Sequence, residues 1–142
     1  MTEVAFHVNV PDPLGYACRL VRKGYMLGMT MLVVGNARQT ALLNKQLWAM
    51  RGVDFVPHCL SNDAVAMVER SAVVLADGMS PAPGRAFDAL VNLAPEMPAH
   101  PASFAKVFEV VSLTDVELAA ARQRWRAYQK AGLEPKRHEI AG

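Results

Sequence analysis

Two short stretches, residues 30–34 (TMLVV) and 72–76 (AVVLA), carry almost no polar side chains. Each is too short for a helix, and a strand that is apolar on both faces has to be covered on both. The segments around them have helical spacing. Residues 14–27 set Leu14, Cys18, Leu20, Val21 and Tyr25 on one stripe, with Arg19, Arg22 and Lys23 on the wet side. Gly28 fits the end of that helix. Beyond Gly35, Asn36 and Gln39 have the spacing of a capping box for a helix running to about Met50. Strand–helix–strand order with buried strands predicts an α/β fold of three layers, αβα, around a mostly parallel sheet.

The remaining elements are read the same way. Residues 4–10 (VAFHVNV) alternate with a period of two, a strand pattern ended by Pro11-Asp12-Pro13. A third strand is read at Asp54-Phe55-Val56, ending in Pro57-His58-Cys59. Residues 63–69 form a helical turn or a polar excursion, and residues 77–85 (DGMSPAPGR) are a loop by composition. A strand follows over residues 87–93. Pro95, Pro98 and Pro101 punctuate a stiff connection, whose polyproline-like rhythm is also that of a ligand for an aromatic groove. Residues 102–106 suggest a short helix and residues 107–111 the last strand, with an antiparallel edge open to the short late strands. The final helix is the best specified. Thr114 and Glu117 make a T-x-x-E box, Leu113 and Leu118 occupy staple positions, and Gly132 stops the helix. The expected organisation is one domain over residues 1–133 and a loose tail over 134–142.

Several function classes are excluded on the same residues. A chain of 142 residues suits one domain with a full core. With 52% apolar and 20% charged residues it belongs among folded rather than disordered chains. A net charge of +2 is too mild to announce nucleic-acid binding. The N-terminal stretch lacks a signal-peptide pattern, and no run approaches a membrane span, so a cytoplasmic location is expected. Cys18 and Cys59 lack C-x-x-C spacing and are read as buried free thiols.

Residues 33–41 (VVGNARQTA) offer a crevice loop but lack both the further glycines of G-x-G-x-x-G and a G-K-[ST]. His7, His58, His100 and His138 have no paired spacing, and His58 and Cys59 point opposite ways in an extended segment, so no metal is expected. There is no G-x-S-x-G elbow, and Glu3, Asp54, Asp63, Asp77 and Asp88 are scattered. No catalytic residue and no cofactor are assigned.

Two places stand out instead. In the last helix Arg122, Trp125 and Arg126 lie at i, i+3 and i+4 and share a face, while Arg124 is expected to face solvent. Either Trp125 packs into the core with the arginines as a solvated rim, or alanines 119 to 121, Ala127 and Tyr128 form the core stripe. In that second case Trp125 and the arginines face an anionic peptide with an apolar tip. Residues 47–60 (LWAMRGVDFVPHCL) put Trp48, Phe55, Pro57, His58 and Cys59 within a short span. His58 is read either as a hydrogen-bonded structural residue or as part of a docking surface, and Trp48 as core or surface.

The order L-W … F-V-P-H-x-L, then F-x-x-V-F-E-V-V, then R-x-R-W-x-A-Y-x-x-A-G resembles the chi subunit family of the bacterial DNA polymerase III holoenzyme over nearly the whole chain. The resemblance implies a Rossmann-like, nucleotide-binding-like fold that holds no nucleotide. It implies a non-catalytic, replisome-associated adaptor that reaches DNA only indirectly and has no membrane contact. Its partners are the acidic C-terminal tail of single-stranded DNA-binding protein, the psi subunit where present, and through psi the clamp loader. Carried over by position, Trp48, Leu113, Arg122, Trp125 and Arg126 form the tail site, and Phe55, Val56, Pro57 and His58 the psi-facing side. Trp125 stands where other members have tyrosine, and the linker before the last helix is shorter than in the best-known members. The competing readings are a Rossmann-type nucleotide-dependent enzyme and a direct single-stranded DNA binder using aromatics along a basic groove.

Overall fold

Every residue of Met31–Val34 and of Val73–Ala76 is buried, as strands covered on two faces must be. The computed structural model describes residues 2–50, 52, 55–77 and 85–140. In chain order the elements are β1 (Glu3–Val10), α1 (Pro13–Met26), β2 (Met31–Val34), α2 (Ala37–Ala49), β3 (His58–Leu60), α3 (Val65–Arg70), β4 (Val73–Ala76), β5 (Ala89–Asn92), β6 (Lys106–Ser112), α4 (Asp115–Lys130) and β7 (Pro135–Glu139). The strands form one sheet ordered β3-β4-β2-β5-β6-β1-β7. Every pairing among the described residues is parallel, so the antiparallel edge left open by the sequence does not occur.

Two apolar clusters sandwich the sheet. On one face Ala17, Cys18 and Val21 of α1 and Leu43 and Leu47 of α2 pack on Met31, Val33, Val73 and Leu75. On the other, Val68 of α3 and Ala121 and Tyr128 of α4 pack on Phe6, Leu32, Val74 and Val111. The three-layer α/β fold is therefore as expected. The caps explain where the helices start. Asn36 Oδ1 accepts from the Gln39 backbone N–H at 2.8 Å while Gln39 Oε1 accepts from the Asn36 N–H at 2.8 Å. Gly28 and Gly132, at φ +80° and +84°, take the left-handed conformation that stops α1 and α4.

Several boundaries depart from the sequence reading. β3 lies after Pro57 rather than before it, because proline has no N–H to give a ladder and the pairing with β4 begins at His58. The short helix expected at residues 102–106 is a 3₁₀ turn at Pro101–Ser103, and β6 starts at Lys106. Of the loop expected at residues 77–85, residues 78–84 lie outside the described residues, as does Asp54 of the expected third strand.

The last departure matters most for function. The expected loose tail is strand β7, paired with β1 from Val4↔Pro135 to Val8↔Glu139. Its side chains are largely exposed on both faces, so it has no apolar period to read; the backbone ladder, including Ile140 N–H to the Val8 carbonyl at 3.0 Å, joins it to β1 together with side-chain contacts such as Asn9 to Glu139.

Candidate protein-binding site

Helix α4 begins where Thr114 Oγ1 accepts from the Glu117 N–H at 3.3 Å. The box is only half closed, because the Glu117 carboxylate accepts from Ser112 Oγ instead of returning to the Thr114 N–H. Leu113 is 56% exposed, so the staple expected there is not a buried contact.

The inward face of α4 is not the alanine stripe expected from spacing. Ala119 is exposed, Ala120 and Ala127 are half-buried, and Ala121, Arg124 and Tyr128 are the buried residues. Arg124, expected in solvent, is 5% exposed. The reason lies beneath it. Glu109 on β6 is fully buried, and its carboxylate collects Arg124 Nε at 2.8 Å, Tyr128 Oη at 2.6 Å and Asn92 Nδ2 at 3.0 and 3.1 Å. Arg124 also donates to the Pro95 carbonyl at 3.0 Å. Burial pushes the Glu109 carboxyl above the usual carboxylate range, and Arg124, Tyr128 and Asn92 pull against it. Burial and the Glu109 charge push the Tyr128 phenol up strongly. The sequence held one signal of this network: Glu109 occupies a position in step with Val107 and Val111, where an apolar residue belongs.

Turning Arg124 inward leaves Arg122 and Arg126 outside, both exposed, with Trp125 half-buried between them. The Trp125 ring rests on Phe6 of β1 with centroids 5.1 Å apart. Around this pair is a hollow of about 230 Å³, lined by Phe6, Val8, Val111, Leu118, Trp125 and Arg122, with Asn9, Ala121 and Arg137 completing it. Asn9 owes its place to a bulge. Its φ of 61° lets β1 slip one residue against β6 between His7 and Val10. Arg126 is exposed one turn beyond Arg122 and does not line the hollow. Phe6, Asn9 and Arg137 were not singled out from the sequence; nothing local in it marks them.

The remaining sequence candidates gather elsewhere. Trp48, 61% exposed near the end of α2, lies 5.3 Å from the Phe55 ring and 5.3 Å from the His58 ring. Phe55 is half-buried and Pro57 exposed, whereas Val56 and His58 are buried. The His58 ring nitrogens meet the Val56 carbonyl at 2.8 Å and the Asn44 side chain at 2.9 Å, which ties α2 to the start of β3. His58 is thus a structural residue beneath the patch. Trp48 and Trp125 do not share a pocket: their helices cover opposite faces of the sheet. Their nearest strands, β3 and β1, are separated by four others, about 24 Å across.

Cys18 and Cys59 are both buried, and burial pushes the Cys18 thiol up to about 11. His58 and Cys59 belong to opposite faces, and among the described residues no three His, Cys, Asp or Glu side chains converge as metal ligands. At the start of α2 the Asn36 and Gln39 N–H groups donate to each other's side chains, and Gln39 Nε2 also donates to the Leu93 carbonyl at 3.0 Å.

A family model described as DNA polymerase III chi subunit, HolC, matches residues 1–136. The chain belongs to the chi family. It is 34% identical over 146 aligned residues to DNA polymerase III subunit chi of Pseudomonas aeruginosa, an alignment covering 99% of this chain and 98% of that one. Among solved structures, the C-terminal domain of the DEAD-box protein Dbp5 superposes with a TM-score of 0.67 over 98% of this chain and 90% of that chain. At 11% identity that likeness concerns the fold alone. Membership of the chi family makes the protein a DNA polymerase III subunit of DNA replication. Among the described residues no helix is long and apolar enough to cross a membrane.

Proposed function

We propose that this chi subunit is a non-catalytic adaptor. It binds the acidic, apolar-tipped C-terminal tail of single-stranded DNA-binding protein in the hollow between α4 and β1. With a separate surface it meets psi, where psi is present, and through psi the clamp loader. The observation that carries the reading is the pairing of Arg122 with Trp125 around one hollow floored by Phe6. A terminal carboxylate fits the guanidinium fork, which donates two parallel hydrogen bonds, and the indole gives an apolar side chain a flat wall. Arg126, exposed and one turn on, flanks the hollow where acids upstream in the peptide pass. Leu113 lies exposed two residues beyond Val111, which lines the hollow.

Trp48 moves in this reading from the tail site to the second surface, with Phe55 and Pro57, because its ring packs on Phe55 and His58. Val56 and His58 support that surface from below. An exposed aromatic with a half-buried one beside it is the composition of a docking patch.

The test is a titration with a synthetic peptide carrying an aspartate run and a carboxy-terminal phenylalanine. A charge-assisted hydrogen bond contributes about 1.5–3 kcal/mol, so Arg122→Ala should weaken binding about tenfold or more. Trp125→Ala should cost a similar factor, and its loss should persist in high salt while the attraction of the acids fades. Amidating the terminal carboxylate should hurt the native protein far more than Arg122→Ala. Equal loss in both would remove Arg122 from the carboxylate, and no effect of either substitution would place the site elsewhere.

A further inference from the structure

The hollow has a second cation that does not come from α4. β7 pairs with β1 so that Arg137 stands opposite Phe6, the residue whose ring supports Trp125. Arg137 therefore lines the same hollow as Arg122, from β7 rather than from α4. Two residues on, and on the same side of the strand, Glu139 lies 3.5 Å from Arg137 Nη1 through Oε2, while its Oε1 accepts from Asn9 Nδ2. Both side chains of the pair are more than half exposed, at 59% and 57%. An ion pair that wet is weak and easily exchanged.

From this geometry we infer that Arg137 is the subsite for the acidic residues of the bound peptide and that Glu139 is its internal competitor. In the free protein Glu139 holds Arg137 beside Asn9. An incoming carboxylate takes over the guanidinium, and Glu139 is left to Asn9 and solvent. Two cations from two elements divide the work: Arg122, on α4 with Trp125, takes the terminal carboxylate, and Arg137, on β7, takes the side-chain acids. The inference rests on the hollow being the peptide site. It adds that the C-terminal strand contributes a residue to specificity and is not only the sheet's edge.

The experiment uses the full chain and two peptides, one with an aspartate run before a carboxy-terminal phenylalanine and one with those aspartates replaced by asparagines. Arg137→Ala should weaken the acidic peptide about fivefold, as a solvent-exposed charge pair implies, and leave the asparagine peptide unchanged. Arg137→Lys should restore most of the loss, and Glu139→Gln should tighten the acidic peptide about twofold to threefold. Unaltered melting of each variant shows that β7 remains in place.

Native-like binding of both peptides by Arg137→Ala, with Arg122→Ala still impaired, overturns the subsite and leaves the hollow standing. Equal loss for both peptides overturns it too, because Arg137 would then act through the strand rather than through charge. Unchanged affinity in Glu139→Gln overturns the competitor. Absence of binding by the native chain removes the hollow itself.

Discussion

Glu109 and Arg124 form an ion pair, 2.8 Å apart, with side chains 0% and 6% exposed. A charge so far from water is tolerated only with its partner and its hydrogen bonds in place. Arg124→Met should therefore destabilise the fold by about 3–5 kcal/mol, because it strands a carboxylate under α4. Glu109→Gln should cost a comparable amount by stranding the guanidinium. The double variant should lose clearly less than the sum, since neither charge is left alone. Urea denaturation of the three variants measures this, and strict additivity would mean that the pair is not coupled. His7 gives a pH-dependent counterpart. Its Nδ1 meets the Tyr16 hydroxyl, its ring lies 5.4 Å from that of His138, and Phe108 packs beside it. Burial holds its pKa below 6.5, with the charges of His138 and Lys23 pushing the same way. The folded chain thus binds protons at His7 less readily than the unfolded one, so its contribution is present above about pH 6.5 and is lost as pH falls towards the lower folded value. The native protein should lose stability across that window, and His7→Gln should flatten that part of the profile.

β7 illustrates an element held by its backbone. It adds a seventh strand beside β1, brings Arg137 to the hollow, and buries little of its own side-chain surface. Removing residues 134–142 would expose the β1 edge along its ladder and uncover part of the Phe6 and Val8 wall. The truncated chain should melt about 5 °C lower and bind the acidic peptide more weakly. A scanning calorimetry trace matching that of the full chain would show that the strand contributes nothing to the sheet. α4 carries the complementary lesson. Its cap and stop follow from Thr114 and Gly132, but which arginine turns inward is settled by the carboxylate on β6, an interaction between residues 15 positions apart.

At the scale of the whole molecule, the two aromatic surfaces lie far apart. One faces outward from α4 over β1 and the other from the end of α2 beside β3, on the opposite side of the sheet. Substitutions separated this far act additively. Trp48→Ala should leave affinity for the acidic peptide within experimental error, and Trp125→Ala should leave a partner of the Trp48–Phe55 patch equally unaffected. A tenfold loss of peptide binding in Trp48→Ala would mean that the two surfaces communicate or that the peptide reaches both. Separate surfaces suit the proposed adaptor role, in which two partners are held at once.

Local chemistry determined the layers and the caps, and the order of the motifs carried the family resemblance. Runs such as MLVV and VVLA, short and rich in β-branched residues, read as strands covered on both faces, Asn36 with Gln39 and Thr114 with Glu117 mark helix starts by hydrogen-bond spacing, and Gly28 and Gly132 mark the stops. Arg122 and Trp125 were legible as a pair because they are one helical turn apart. Trp48 was not separable from them by sequence, since which side of the sheet a helix covers depends on the handedness and order of the crossovers rather than on the helix's own residues. The inward turn of Arg124, the pairing of β7 and the meeting of Phe6, Asn9 and Arg137 in one hollow were decided by tertiary structure alone. Each depends on a partner distant in the chain, and neither a buried carboxylate seeking a cation nor a bare strand edge seeking a backbone leaves a period in the residues that answer it.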